Sequence, residues 1–199
     1  RHTLSVFNRM KELAEGLAEN LAARFDSIDQ HVIIEYKDMG EFEFHIKFSG
    51  DLLMFNMHTN VVTLPHENII FKSPYVIEDP TRAYFGTIMV YNFMADSLKY
   101  NRINDPGYLM SRLMINRDNH FYVEGVRQLA FLYPDIAQNT ISDQILLAYI
   151  ENSILLAIDQ DLFAPPYQKI RVIPLGHKLA NQAQTTGNKV GFQMSYQRD

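Results

Sequence analysis

Between Val32 and Leu64 apolar and polar residues alternate in short runs, broken at Asp38-Met39-Gly40, Ser49-Gly50 and Thr59-Asn60. Alternation with period two places apolar side chains on one face of a strand, and the breaks hold turn-forming residues. Residues 31–64 therefore predict a four-strand antiparallel meander. A three-residue loop at Asp38–Gly40 sets Val32 opposite Ile46, Ile34 opposite Phe44 and Tyr36 opposite Phe42. A two-residue turn at Ser49-Gly50 sets Ile46 against Leu53 and Phe44 against Phe55. A turn at Thr59-Asn60 then sets Met57 against Val62 and Phe55 against Leu64. In this register one face is apolar throughout. The other carries Glu35, Lys37, Glu41, Glu43, His45, Lys47, Asn56, His58 and Thr63, with Ile33, Leu52 and Met54 at one end. A sheet with one dry face predicts helices packed on that side.

The helical signals lie on either side of the meander. Met10, Leu13, Leu17, Leu21 and Phe25 recur at three- and four-residue spacing, predicting an N-terminal helix from Thr3, as N-cap, to Phe25. Asn68–Lys72 reads as a short strand. Asp79-Pro80 is a helix-start pattern, and Phe85, Ile88, Met89, Phe93 and Leu98 predict a middle helix over 80–100. Thr87, Ile88, Val90 and the aromatics would also suit a buried strand there. A second hairpin is predicted at 108–124, where a turn at Asn116–Asn119 sets Met114 against Phe121, Leu113 against Tyr122 and Arg112 against Val123. Arg127–Tyr133 reads as a helical turn. Thr140-Ile141-Ser142-Asp143 is a capping-box-like start to a C-terminal helix reaching Phe163, with a polar line of Gln144, Glu151, Asn152 and Asp159. Lys169–Pro174 reads as an edge strand.

The predicted fold class is thus α+β: a meander at 31–64 and a hairpin at 108–124, packed against N-terminal, middle and C-terminal helices. The order of elements resembles that of small sensory and adaptor α+β domains, GAF-like or longin-like, an analogy of architecture that transfers no residues. The expected organisation is one domain over 1–175 and an extended, partly mobile segment over 176–199. From Lys169 onward the cations Lys169, Arg171, Lys178, Lys189 and Arg198 face one acid, Asp199, so this end is basic while the first half is acidic.

Composition narrows the functional classes. The net charge of −5 argues against a general nucleic-acid binder, and the absence of cysteine removes disulfides, thiolate zinc sites and cysteine nucleophiles. No apolar run has the roughly 18 residues a membrane span needs. A cytoplasmic location is the expectation. There is no GxxxxGK[ST], GxGxxG, GxSxG, HExxH or EF-hand loop.

Two groups of polar residues are candidates for chemistry. In the predicted register Glu35 faces Glu43, His45 follows Glu43 on the same face, Asn56 lies across from Glu43 and His58 across from Glu41. Glu35, Glu43, His45 and His58 would be carboxylate and imidazole ligands suited to Zn, Mn or Fe. The plainer reading is a solvated strand face with Lys37 and Lys47 as counter-charges. In the second hairpin, Arg112 among apolar neighbours needs an acid or a ligand anion. His120 and Glu124 lie on one face of the hairpin with Tyr122 between them, a row that could bind a small polar ligand. The aromatics at 36, 42, 44, 48 and 55 lie on the dry face without cations, so they read as core rather than a nucleic-acid stacking platform. The function expected is a non-catalytic ligand- or protein-binding or scaffold domain that needs no cofactor and dimerises with itself through the Thr140–Phe163 or the N-terminal helix. The alternative is a metal-dependent enzyme using the Glu/His face.

Overall fold

The alternating runs assemble into one sheet. Strands β1 (Ile34–Asp38), β2 (Glu43–Phe48), β3 (Asp51–Val62), β4 (Phe85–Met94), β5 (Tyr108–Ile115) and β6 (Phe121–Gly125) lie side by side in chain order, all antiparallel. The structure, a computed structural model, describes residues 2–26, 28, 32–103, 105–125, 133 and 135–159. The turn at Arg127–Tyr133 (apart from Tyr133), the strand at Lys169–Pro174 and the segment 176–199 fall outside the described residues. The α+β class holds, with four helices among the described residues: α1 (His2–Asp26), α2 (Pro74–Glu78), α3 (Ala95–Lys99) and α4 (Asp143–Asp159).

The β2–β3 hairpin has the predicted pairs, Phe44 with Phe55 and Ile46 with Leu53. The β1–β2 register does not: Tyr36 faces Ile46 and Ile34 faces Phe48. The loop is longer than three residues because Asp38 Oδ1 accepts from Gly40 N at 2.9 Å, and Met39 N donates to Glu43 O at 3.1 Å. Gly40 sits at φ 116, outside the range L side chains favour. The slip is an even number of residues, so every side chain keeps its predicted face. Its pairing partner changes.

The fourth meander strand does not form. Thr59 and Asn60 lie inside β3, which runs on to Val62 because β4 pairs along it from Asp51–Met94 to Val62–Phe85, with a bulge between His58 and Val62. The middle helix predicted over 80–100 is instead β4, followed by the single turn of α3. Asp79 starts only a 3₁₀ turn (Pro80–Ala83), its carboxylate accepting from Thr81 N at 2.9 Å. Asn68–Lys72 is also 3₁₀, over Ile69–Lys72, with Asn68 as cap. In the second hairpin the register is one residue from that predicted: Met114 faces Tyr122 and Arg112 faces Glu124.

The main core lies between the sheet and the long helices. Phe44 stacks on Phe55 with centroids 4.5 Å apart, and Phe7 of α1 tilts onto Phe44 at 5.4 Å. All three are fully buried, and each such ring contributes roughly 1.5–3 kcal/mol relative to an exposed one. Helix α1 buries Phe7, Met10, Ala14 and Ala18, with Leu13, Leu17 and Leu21 at the flank. Thr3 lies inside the helix rather than capping it. Helix α4 is started by Ser142, not Thr140: Ser142 Oγ accepts from Ile145 N at 3.3 Å, while Thr140 bridges back to His120.

A second cluster closes one end of the opposite face. Leu64, Ile70, Val76, Ala83, Phe85, Met114 and Ile136 bury one another there, so the connection from 65 to 84 lies over the ends of β3 to β6. Asn116, 1% exposed, pins it. Its amide donates to Tyr75 Oη at 3.0 Å and Arg82 O at 3.1 Å, and its carbonyl accepts from Asp118 N and His120 N, each at 3.0 Å.

Candidate functional site

Past that second cluster, the sheet face turned away from α1 and α4 carries no helix among the described residues other than the short α3 at one end. Strand pairing sets its side chains in rows. Glu43 of β2, Asn56 of β3 and Met89 of β4 form one row, and Arg112 and Glu124 continue it on β5 and β6. His45, Met54 and Tyr91 form the next row on β2, β3 and β4. Direct neighbours in such rows have Cβ atoms roughly 4.5–5.5 Å apart, so these side chains touch or nearly touch.

The structure divides the four predicted metal ligands. Glu43 and His45 are joined: His45 Nε2 lies 2.8 Å from Glu43 Oε1, and Asn56 Nδ2 donates to Glu43 Oε2 at 3.1 Å. Glu35 is not opposite Glu43. It faces Lys47, with Nζ 3.6 Å from Oε2, because the longer β1–β2 loop moves the register. His58 is exposed and faces Thr87 of β4. Among the described residues no group of three or more His, Asp or Glu side chains comes together in a way that could hold a metal ion.

The second predicted set is also divided. Arg112 and Glu124 form an ion pair across β5 and β6, so the arginine finds its acid within the hairpin. Their side chains are 36% and 27% exposed, a half-wet pair that contributes about 1 kcal/mol or less. Tyr122 packs half-buried against the second cluster. His120 is turned into the fold: its ring stacks on Tyr75 with centroids 4.4 Å apart, and Nδ1 donates to Ile136 O at 2.8 Å. Its role there is to hold the covering segment.

His45 differs from the other polar groups on this face. It is 2% exposed, although it stands on the side predicted to be wet. An ionised carboxylate only accepts, so Nε2 carries a hydrogen and donates to Glu43. Nδ1 is buried and has no hydrogen-bond partner among the described residues. Leaving such an atom unpaired costs about 1–3 kcal/mol, so the Glu43–Asn56 relay holds the ring in place against a penalty. Beside it, Met54 lines a cleft of about 170 Å³ formed with Phe93, Ser97, Leu98, Ile103 and Asp105. Ser97 Oγ donates to Asp105 Oδ2 at 2.6 Å and closes the cleft's polar side.

Sequence reasoning missed Met89 and Tyr91, because both lay in the stretch read as a helix. The β-branched and aromatic content of Thr87–Tyr91 was the signal for a strand. Comparison with protein-family models, with curated proteins and with solved structures gave no match to this chain.

Proposed function

We propose that this chain is a non-catalytic binding domain whose binding surface is the sheet face turned away from α1 and α4. The observation that carries this reading is the makeup of that face. Donors, acceptors, thioethers and a phenol stand in two adjacent rows, half-buried and oriented by one another through Glu43–His45–Asn56 and Arg112–Glu124. Groups already fixed in this way lose little entropy when they meet a ligand. The opposite face is taken up by the two long helices. The hard-metal enzyme reading retains only Glu43 and His45 in contact and is not carried further.

Self-association is the second part of the proposal, and it rests on a small patch. The sheet and α1 consume most of the apolar surface of α4, leaving Leu155 and Ile158 exposed at 59% and 47%. No helix among the described residues is long and apolar enough to cross a membrane. A cytoplasmic setting, with a second copy or another protein as partner and not a nucleic acid, belongs to the same proposal. Its support is the net charge of −5 and the absence of cysteine.

An amide-detected NMR screen of small polar and aromatic fragments tests the surface. Shifts confined to β2–β5 and abolished by Asn56→Arg support it; shifts centred on α1 and α4, or none, remove it. Light scattering tests the dimer: a lone 23.1 kDa species at micromolar concentration discards that part.

A further inference from the structure

We propose that two copies of this chain join through β1, the strand pairing antiparallel with its own copy about Tyr36. The inference rests on the reading that the chain associates with itself, and it names the surface and the register.

The sheet order leaves β1 at an edge, with no strand beyond it among the described residues. Backbone groups of an antiparallel strand point alternately toward one neighbour and toward the other. Ile33 O accepts from Ser49 N at 2.8 Å and Met39 N donates to Glu43 O at 3.1 Å, so the odd-numbered residues bond to β2. Ile34, Tyr36 and Asp38 therefore turn their N–H and C=O groups outward. Such a row is a template for another strand.

The side chains decide which strand it takes and in what register. Glu35 and Lys37 flank Tyr36, both exposed, on the sheet face turned away from α1. Glu35 reaches Lys47 at 3.6 Å, and Lys37 has no ion-pair partner among the described residues. A second copy laid antiparallel with the two Tyr36 residues opposite one another sets Glu35 against the partner's Lys37. By symmetry Lys37 then meets the partner's Glu35. These are pairs of the closer, non-hydrogen-bonded kind, where opposite charges attract and like charges destabilise. Sliding the copies by two residues sets Glu35 against the partner's Glu35 in one direction, and Lys37 against the partner's Lys37 in the other. A slip of one residue sets outward-facing backbone groups against inward-facing ones. The charges close every neighbouring register and leave one open.

In that register Ile34 meets the partner's Asp38, and about six backbone hydrogen bonds close the join. A strand that is its own complement under a two-fold rotation fits an isologous contact, which is why the occupant is a second copy rather than another protein. The axis stands perpendicular to the sheet. The long helices of both copies then lie on one side, and the two open faces run on as one surface.

Sedimentation equilibrium on the whole chain should show a mass rising from 23.1 kDa toward twice that value with concentration. Glu35→Lys sets a lysine against the partner's Lys37 at both symmetry-related pairs, and Lys37→Glu sets a glutamate against the partner's Glu35. Each alone should raise the dissociation constant about tenfold or more. Mixed in equal amounts, the two variants should associate as tightly as the parent, because each then faces the opposite charge. In the parent, exchange of the Ile34 and Tyr36 amides should slow as concentration rises, while the Glu35 and Lys37 amides, already bonded to β2, keep their rates. The proposal is overturned if either variant alone associates like the parent, if the mixture stays monomeric, or if the Tyr36 amide exchanges at one rate while the mass rises. Association that survives both charge changes but is lost in Leu155→Glu would move the contact to α4 and keep self-association. A mass fixed at 23.1 kDa at every concentration removes self-association and this contact together.

Discussion

Arg9 and Asp143, 134 residues apart, meet as a two-pronged ion pair: Nε donates to Oδ1 at 2.9 Å and Nη2 to Oδ2 at 2.6 Å. The pair ties the first turns of α1 to the first turn of α4. It also places a carboxylate at the N-terminus of α4, where the helix dipole favours negative charge.

The Arg9 hydrogen bond holds the Asp143 carboxyl below its ordinary value of 3.8. A folded-state pKa lowered in this way gives stability that is present above the unfolded value and lost as pH falls through the folded one. Asp143→Asn should therefore lower the melting temperature at pH 7, with a gap to the parent that closes as pH drops below about 4. Both groups are solvent-exposed, so the gap should also shrink in 1 M salt. A gap that stays constant down to pH 2 would contradict this account.

Asn116→Ala should be among the most destabilising changes outside the main core. It leaves the Asp118 and His120 amides without that acceptor and removes the amide donor to Tyr75 Oη and Arg82 O, so that Tyr75 and Arg82 are held to the hairpin only through Asp118 and the His120 ring. With two backbone donors orphaned, the cost should be roughly 2–4 kcal/mol by urea denaturation. Hydrogen exchange should accelerate first in 65–84, since that segment is held down by this residue.

Gly86→Ala should disturb α1, a helix far away in sequence. A Cβ at this position would fall inside van der Waals contact with the Thr3 side chain, lying 2.8 Å from its Cγ2. Overpacking of this kind costs about 1–3 kcal/mol. Thr3→Gly in the same chain should recover part of the loss, and calorimetry of the single and double variants measures the rescue.

Tyr149 and Ser111 bond hydroxyl to hydroxyl at 2.6 Å, and both are buried. Tyr149→Phe alone should cost about 1–2 kcal/mol by stranding Ser111, and adding Ser111→Ala should restore most of it. Burial also pushes the Tyr149 phenol well above its ordinary 10.0. The stability this supplies is complete below pH 10 and is lost as pH rises beyond it. Absorbance titration should show one tyrosine that ionises only when the protein unfolds in alkali.

The two faces of β1, β2 and the first part of β3 were legible in the sequence, because side-chain direction depends only on odd or even position. The β1–β2 register error was four residues, so it moved partners and left the faces intact. That is why the dry core around Phe44, Ile46 and Phe55 was predicted correctly while Glu35 was paired with the wrong residue. In β5–β6 the error was a single residue, and there the face did change: Arg112 was set opposite Val123 and in fact meets Glu124.

Strand β4 was illegible for a different reason. It is central, and Met89, Tyr91 and Phe93 on its open face are as apolar as Ile88 and Val90 on its core face, so the sequence has no polar alternation to read although the burial alternates. Two of the proposed ligand-face residues, Met89 and Tyr91, were hidden by that same property. The sequence by itself determined which residues alternate, where the turns fall and that helices must cover one face, since these follow from local periodicity and turn chemistry. Only the tertiary structure decided that β4 inserts beside β3, that His120 is a packing residue and that His45 is buried, its Nδ1 without a partner among the described residues. Each of those depends on which distant segment arrives at a given face, and local pattern does not encode that.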